Sequence, residues 1–354
     1  MSVPLTSQEI LTFQQIGVDS QFANISNTAL SQDKYLCIRE VTDTDSFVVI
    51  VDLQNNNNVT KHKMKADTAV MHPSRNIIAL RGASTIQVFD LNQKQRLNSY
   101  QLPEGQVVNY WKWIDEQTLA YVAGGSVFHW SIAGQSTPVL AFQLQPQVAA
   151  GSIMNYSVSH DQQWLAVSAL VRDGNGPAGK VQLFSRERSV SQVIDAYAAS
   201  FANVGPLPLF VFASKLNGSM RLNIFPLGAT PAAQQFGKKY VNLPVEPDAQ
   251  DDLPHHLIIS QHYSSAFLFT KLGYLYCVEI ETPFVYISAR VSQVPFTHAA
   301  LARDGSVIAL SRDGRMAKFG INESIIVDFI ANKRGNPQAA AKVAAAAGLQ
   351  ISGD

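Results

Sequence analysis

A β-hairpin pattern recurs seven times along the chain. Each copy has a short apolar strand, a polar or glycine-containing turn, and a second strand in which apolar and polar residues alternate. Alternation and turn chemistry of this kind predict antiparallel hairpins. The copies are YLCIREVTDTDSFVVIVDL, IIALRGASTIQVFDL, TLAYVAGGSVFHWSI, WLAVSALVRDGNGPAGKVQLFS, LFVFASKLNGSMRLNIFPL, AFLFTKLGYLYCVEI and VIALSRDGRMAKFGI.

The spacing of these copies predicts a β-propeller. Reference positions in their first strands are separated by 42, 42, 45, 45, 57 and 41 residues. A β period of about 40 to 45 residues is typical of propeller blades, which bury their two apolar faces by stacking in a closed ring. We therefore predict an all-β fold, a seven-bladed β-propeller over residues 1–321. The reference positions are Leu36, Ile78, Ala120, Leu165, Phe210, Phe267 and Ile308.

Two segments depart from the repeat. The 57-residue interval contains GATPAAQQFGKKYVNLPVEPDAQDDLPHH, whose proline, glycine and aspartate content predicts a long surface connection rather than an extra element. After Gly320, Asn322 is placed to cap a helix through ESIIVDFIANK, and Asn336–Pro337 can begin a second over QAAAKVAAAA. We predict that residues 322–354 are a helical linker. Because an alanine-rich helix has little apolar surface for its own core, we expect this linker to begin a longer helical segment.

Charge composition argues against partners that are recognised by a bulk electric field. Lys and Arg number 27, against 27 Asp and Glu, so we expect neither nucleic acid nor a membrane surface as a direct ligand. The N-terminal segment has no basic region before an apolar stretch, and no window has 18 consecutive apolar residues. Cys37 and Cys277 lie in strand-like runs and are expected to be buried thiols. These features predict a cytoplasmic protein.

Two local motifs resemble ligand sites but lack the required context. Gly174–Lys180, GNGPAGK, matches glycine-rich phosphate-binding patterns, yet Val181 follows where Ser or Thr would hold magnesium and no helix begins there. A long hairpin loop is the better interpretation. His255 and His256 have no Cys, Asp or Glu at a metal-ligand spacing. We expect no metal and no cofactor.

Longer segments resemble the terminal domain of the clathrin heavy-chain family, in order from about residue 1 to 345. They are YLCIRE (35–40), KADTAVMHP (65–73), TIQVFDL (85–91), YWKW (110–113), VFHWS (127–131), SQVIDAYAASFA (191–202) and TKLGYLYCVEIET (270–282). The resemblance implies a structural coat-protein domain, not an enzyme, that binds clathrin-box-type acidic-hydrophobic peptides of endocytic adaptors during clathrin-mediated vesicle formation. It also implies that the helical linker begins an α-solenoid leg.

The same resemblance implies location and partners. The chain would lie at the cytoplasmic face of coated pits and coated vesicles and would meet the membrane only through adaptors. The full-length protein would form trimers and bind light chains through regions outside this chain.

A propeller scaffold of another vesicle coat or of a regulatory complex is the alternative function. An enzyme with titratable residues at the central channel is a third possibility.

By resemblance, the main peptide groove lies between the first two blades. Its positions match Thr85, Gln87, Phe89, Lys94 and Arg96, with Met64 and Ile78 lining apolar pockets. Thr85, Gln87 and Phe89 alternate along one strand and so share a face. The amide of Gln87 suits a peptide backbone, and Lys94 and Arg96 suit a carboxylate. Without the resemblance, these residues favour a blade core beside a solvated hairpin.

Three further sites follow from the resemblance. A second groove, between the fourth and fifth blades, matches Trp164, Leu183, Arg188 and Gln192; the alternative is a blade-closing tryptophan with a surface arginine. A central site matches Ile25, Ser152 and Met154, although other family members have an aromatic residue and a longer amide in place of Ile25 and Ser152. For a site near the last blades, only Glu9 is suggested.

Overall fold

Seven four-stranded antiparallel sheets follow one another around a ring in the computed structural model, which describes residues 3–351. The predicted seven-bladed β-propeller is therefore confirmed. The outer limits of the two predicted segments, residues 1–2 and 352–354, lie outside the described residues.

The strands are assigned as follows. Strand β1 (Leu5–Thr12) belongs to the seventh blade, and the first blade contains β2 (Thr28–Ser31), β3 (Tyr35–Val41), β4 (Ser46–Asp52) and β5 (Asn58–Lys63). The second contains β6 (Thr68–Met71), β7 (Ile77–Arg81), β8 (Thr85–Asp90) and β9 (Gln95–Gln101), and the third β10 (Val108–Trp113), β11 (Thr118–Ala123), β12 (Ser126–Ser131) and β13 (Val139–Gln143). The fourth contains β14 (Ser152–Val158), β15 (Trp164–Asp173), β16 (Gly176–Ser185) and β17 (Val190–Ile194), and the fifth β18 (Ala198–Val204), β19 (Leu207–Leu216), β20 (Ser219–Pro226) and β21 (Lys239–Asn242). The sixth contains β22 (Pro254–Ser260), β23 (Ser265–Thr270), β24 (Tyr274–Glu279) and β25 (Phe284–Arg290), and the seventh β26 (Phe296–Leu301), β27 (Val307–Ser311) and β28 (Arg315–Ile321), completed by β1.

The hairpins recognised in the sequence are the two central strands of each blade. All seven reference positions lie on the second strand of a blade, for example Leu36 on β3 and Ile308 on β27. The first strands of the blades lie innermost, and most contact the corresponding strand of the next blade. The central strands carry the clearest apolar patterns because both of their faces are buried against neighbouring blades.

The N-terminal strand closes the ring. Strand β1 pairs antiparallel with β28, from Leu5 opposite Ile321 to Thr12 opposite Arg315, with an irregularity between Glu9 and Leu11. The side chain of Leu11 is only 2% exposed and lies in the core between the seventh and first blades. The last blade is thus completed by the beginning of the chain, which leaves the ring without an open seam.

The core consists of seven apolar clusters, one at each junction between neighbouring blades. Alternate residues of a strand enter alternate clusters. On β8, Ile86 and Val88 are fully buried toward the third blade, whereas Phe89 packs against the first. This alternation assigns each residue of the second blade to one junction, and it therefore determines which side chains line the groove described below.

The insertion was predicted incorrectly. It contains helix α2 (Pro231–Phe236) and the outer strand of the fifth blade, β21. The side chain of Thr230 caps α2 by accepting a hydrogen bond from the backbone of Ala233 at 3.2 Å. Strand β21 has only four residues, and two of them are exposed, so its apolar alternation is too short to stand out in the sequence.

The glycine-rich segment forms a tight turn, so the expected long loop is also wrong. Asp173 pairs directly with Gly176, and residues 176–180 already belong to β16. A Cβ atom on Gly179 would lie 2.2 Å from the carbonyl oxygen of Ala196. This glycine therefore permits the close approach of two backbones and has no role in holding a phosphate.

Short helices complete the described chain. They are α1 (Pro146–Ala149), α2, α3 (Ile326–Asp328), a π-helical turn (Phe329–Lys333), α4 (Pro337–Ala347), and 3₁₀ turns at Gln14–Ile16, Ser20–Phe22, Pro247–Ala249 and Gln261–Tyr263. The predicted first helix after Asn322 is thus an irregular segment rather than one continuous helix. The second is α4, where the side chain of Asn336 accepts a hydrogen bond from the backbone of Ala339 at 2.9 Å.

Helix α4 packs on the propeller. Its residues Ala339, Ala340 and Val343 are buried in the cluster between the sixth and seventh blades, together with Phe269 and Tyr286. The small apolar surface of this alanine-rich helix therefore packs against the sixth and seventh blades. Among residues 3–351, no helix is long and apolar enough to cross a membrane.

Candidate functional site

The surface where the first and second blades meet, which we call the 1–2 groove, includes one face of β8. Thr85, Gln87 and Phe89 are each half-buried on this face. The side chains between them, Ile86 and Val88, are fully buried on the opposite face. The structure therefore brings the three alternating residues to one accessible surface.

The apolar part of the 1–2 groove is a cluster shared by the two blades. Met64, directly after β5, and Phe89 are partly exposed members of this cluster. Ile78 is fully buried in the same cluster and lies directly opposite Phe89 on the neighbouring strand, so it packs beneath the accessible residues. Its role in lining a pocket stays a prediction. Leu80 and Leu91 also pack here and are half-exposed. Leu80 continues the alternation that begins at Ile78, a signal that could have identified it in the sequence.

The charged part of the 1–2 groove is the hairpin between β8 and β9. Lys94 is exposed in the turn with φ of 52°, and exposed Arg96 lies directly opposite Phe89. Within residues 3–351, neither side chain forms a salt bridge or a hydrogen bond. The carboxylate of the nearby Asp90 instead accepts hydrogen bonds from the backbone N–H groups of Asn92 and Gln93 in the same turn, at 2.9 Å each. Two cations thus stand beside exposed apolar surface without an internal anion.

The groove between the fourth and fifth blades, the 4–5 groove, also assembles its predicted residues. Trp164 and Leu183 share an apolar cluster with aromatic residues of the fifth blade. Gln192 is exposed opposite Leu183 on the neighbouring strand, and Arg188 is exposed in the turn between them. This arrangement suits a peptide groove, and it equally suits a blade-closing tryptophan beside a surface arginine.

The residues predicted for the central site lie on different blades, and the site stays a prediction. Ile25 precedes β2 in the first blade and is 53% exposed, whereas Ser152 and Met154 lie on β14 in the fourth. No hydrophobic cluster or hydrogen bond in the described part of the chain joins them. Glu9 is exposed on β1, next to the irregularity in the closing strand.

Histidines form a separate cluster on the innermost strands of the sixth and seventh blades. The Nε2 of His298 donates to the carbonyl oxygen of Thr28 in the first blade at 3.0 Å, and that of His256 donates to the carbonyl oxygen of Phe296 at 2.9 Å. The rings of His255 and His256 are 4.3 Å apart, and Nδ1 of His255 is buried without a partner. These rings link consecutive blades. No group of three or more His, Cys, Asp or Glu in residues 3–351 is arranged to hold a metal ion.

Acid should destabilise the ring at this cluster. Burial, together with the charge of nearby His256, lowers the pKa of His298 to about 4. Burial also lowers the pKa of His255 to about 3, and the charges of His256, Lys271 and His298 add to this effect. In the unfolded chain both would titrate near about 6.5. The unfolded state therefore binds more protons below that value, and the free energy of unfolding should fall as the pH drops from about 6.5 toward 4. Thermal unfolding followed by circular dichroism between pH 7.5 and 5 measures this.

A His298→Gln variant is the control for the acid effect. Its amide can still donate to Thr28 but cannot be protonated, so its melting temperature should depend less on pH than that of the wild type. A wild-type melting temperature that stays constant between pH 7 and 5 would contradict the assignment of neutral, buried histidines.

Clathrin heavy chains match nearly the whole chain. That of Drosophila melanogaster is 33% identical over 350 residues, which cover 97% of this chain and 21% of the relative. The probable clathrin heavy chain 1 of Caenorhabditis elegans is 32% identical over 353 residues, with the same coverages. The chain belongs to the clathrin heavy-chain family. It spans about a fifth of the length of the curated clathrin heavy chains it matches, consistent with their N-terminal domain.

A more distant sequence relative and a solved structure, which bears on the fold alone, also match. Clathrin heavy chain 2 of Homo sapiens is 28% identical over 98% of this chain. A chain in a crystal structure of the mitotic checkpoint complex superposes on this protein with a TM-score of 0.61 and 10% sequence identity. The superposition covers 91% of this chain and 92% of the other, and it shows a shared fold. No family model matches the chain.

Proposed function

We propose that the chain is a coat-protein domain that binds short, extended acidic-apolar peptides of adaptor proteins in its 1–2 groove. The observation that carries this proposal is a pair of exposed cations, Lys94 and Arg96, beside the half-exposed apolar residues Met64 and Phe89. Neither cation has a salt bridge within residues 3–351. Membership of the clathrin heavy-chain family supports the coat role. The process served would be clathrin-mediated vesicle formation.

The groove suits a peptide whose apolar and acidic side chains alternate. Aliphatic side chains of the peptide would pack on Phe89 and Met64, and the amide of Gln87, which has no hydrogen bond within residues 3–351, would meet the peptide backbone. Carboxylates would pair with Lys94 and Arg96. Side chains of an extended peptide alternate between two faces, so one face would contact the groove while the other remains in water.

Single peptides should bind weakly, with dissociation constants of about 1 μM or higher. Only a few side chains are buried, and a disordered segment loses conformational entropy when it is ordered. Stable coats would then depend on many weak contacts in parallel, since several motifs on one adaptor and many domains in one lattice raise the effective concentration. Weak individual contacts also permit disassembly.

The remaining expectations for the whole protein belong to the same proposal. A longer chain would form trimers and bind light chains through other regions, and the assembly would act at the cytoplasmic face of coated pits and vesicles. It would contact the membrane only through adaptors and require no cofactor. In this proposal the domain is not an enzyme, and His256 and His298 serve the ring by donating to backbone carbonyls.

We also propose that residues 322–354 begin an α-solenoid leg after the propeller of residues 1–321. The contacts between them support a fixed angle at this joint. Lys342 on α4 pairs with Glu281 at 2.7 Å, and Arg334 donates to the carbonyl oxygen of Val285 at 3.0 Å. A scaffold of a different coat or regulatory complex is the alternative, but no contact or charge pattern among residues 3–351 favours it.

A titration with two synthetic peptides tests the proposed function. One alternates leucine and aspartate, and the other replaces every aspartate with asparagine. We expect the neutral peptide to bind at least about tenfold more weakly, because the charge-assisted contacts to two cations are lost. Fluorescence anisotropy at about 0.05 M salt measures both affinities. Equal binding of the two peptides, or no binding of the acidic one, would contradict the proposal.

A further inference from the structure

The seven blades carry an equivalent residue near the end of the third strand, facing the preceding blade. At four junctions this residue is fully buried: Val51, Trp130, Val278 and Phe319. At three junctions it is a half-exposed phenylalanine: Phe89, Phe184 and Phe225. Phe89 belongs to the 1–2 groove, and Phe225 lies at the junction of the 4–5 groove. Phe184 lies between the third and fourth blades, outside both of these grooves.

The hairpin after Phe184 has the same geometry as the one after Phe89. Asp90 pairs with Gln95, and Ser185 pairs with Val190, so each hairpin has a four-residue loop. The last loop residue has a positive φ in both, 52° at Lys94 and 53° at Ser189. The junction between the third and fourth blades therefore presents its loop as the 1–2 groove does.

A cation stands beside this phenylalanine. Arg186 is exposed, and its Nη2 lies 3.1 Å from Nδ1 of His129 on the third blade. Because arginine only donates, His129 accepts through Nδ1 and carries its hydrogen on Nε2, which lies 2.7 Å from the hydroxyl oxygen of Tyr156. Burial, with Arg186 adding to the effect, lowers the pKa of His129 to about 4, so the histidine is neutral. Among residues 3–351, Arg186 forms no salt bridge, even with its exposed neighbour Glu187.

Apolar surface lies next to this cation. Val139 is 67% exposed and sits directly opposite His129 on β13. Phe184 stacks on Phe142 of the same strand, with ring centroids 4.8 Å apart and an angle of 7° between the rings. An uncompensated guanidinium beside exposed aliphatic and aromatic groups is complementary to an acidic-apolar ligand.

We propose that this junction, the 3–4 groove formed by Val139, Phe184 and Arg186, is a further binding site for short acidic-apolar peptides. It rests on the proposed function, since it extends the same ligand chemistry to another pair of blades. The carboxylate of the peptide pairs with Arg186, and an adjacent apolar side chain packs on Val139 and the edge of Phe184.

The 3–4 groove takes a shorter motif than the 1–2 groove. Gln182 holds the position of Gln87, but it is fully buried. It accepts from the backbone of Gln145 at 2.7 Å and donates to the carbonyl oxygen of Gln143 at 2.9 Å. These contacts close the inner part of the junction, so a peptide reaches only its outer end. One carboxylate next to one bulky apolar residue is the motif that fits.

Methyl NMR separates this site from the 1–2 groove. The chain is labelled at valine and methionine methyl groups and titrated with the alternating leucine and aspartate peptide. Met64 reports on the 1–2 groove and Val139 on the 3–4 groove. We expect saturable shifts at both, and we expect the Val139 shift to persist in the Lys94→Glu, Arg96→Glu double variant.

An arginine on the same blade provides the matched control. Arg186→Glu should weaken the apparent affinity at Val139 at least about fivefold, whereas Arg172→Glu, exposed at the opposite end of the β15 and β16 hairpin, should leave it unchanged. A shift at Met64 without one at Val139, or a Val139 shift that survives Arg186→Glu, would overturn the 3–4 groove and leave the proposed function intact. No shift at either methyl group would overturn both.

Discussion

Replacing both Lys94 and Arg96 with glutamate should weaken the binding of an acidic-apolar peptide in the 1–2 groove at least about tenfold. Each substitution removes a cation that has no internal partner and places an anion opposite the ligand's carboxylates. Tenfold corresponds to about 1.4 kcal/mol, a modest loss for two reversed charge contacts at an exposed, salt-screened site. The methyl shift of Met64, which reports on the 1–2 groove, measures this affinity in a titration with the alternating leucine and aspartate peptide.

A second double variant controls for net charge. Arg172→Glu with Arg303→Glu changes the net charge by the same amount at exposed positions outside the grooves. Its affinity should stay within about twofold of the wild type. Equal weakening in the two double variants would mean that the overall field of the protein, and not the 1–2 groove, attracts the peptide.

Deleting residues 1–12 should cause the largest loss of stability. The deletion removes β1, exposes the edge of β28 and takes Leu11 from the core between the seventh and first blades. Loss of one buried leucine alone costs about 2 to 5 kcal/mol, and the broken ladder adds to it. We expect the melting temperature to fall by at least about 10 °C, given that about 1 kcal/mol shifts it by a few degrees in a large domain.

Thermal unfolding followed by circular dichroism, together with gel filtration, tests this deletion. Removal of residues 1–3 is the control, because β1 and the hydrogen bond from Asn322 to the carbonyl oxygen of Pro4 remain. The control should unfold as the full chain does. An unchanged melting temperature and a monomeric profile in the longer deletion would mean that β1 is not needed to close the ring.

The repeat spacing was sufficient to predict the fold, because the two central strands of every blade carry both the apolar pattern and the turn. Elements that do not bury both faces are harder to predict from the sequence. Strand β21 is short and partly exposed, so the prediction missed it. The sequence pattern at Gly174 and Asn175 predicts a longer loop than the observed turn, because glycine and proline also occur inside β16.

The 1–2 groove was partly predictable from the residues. Alternation along β8 correctly places Thr85, Gln87 and Phe89 on one face, whereas the complete burial of Ile78 depends on how two blades meet. The contact between Arg186 and His129 joins residues 57 positions apart on different blades. No local pattern encodes such a pair, since it follows from the rotation between neighbouring sheets.

A crystal structure of the chain with the alternating leucine and aspartate peptide tests the central claim most directly. We expect an extended peptide in the 1–2 groove, with a leucine on Phe89 and a carboxylate oxygen about 2.7 to 3.2 Å from the Nζ of Lys94 or the guanidinium of Arg96. A peptide bound only at other surfaces, with the 1–2 groove empty, would contradict the account.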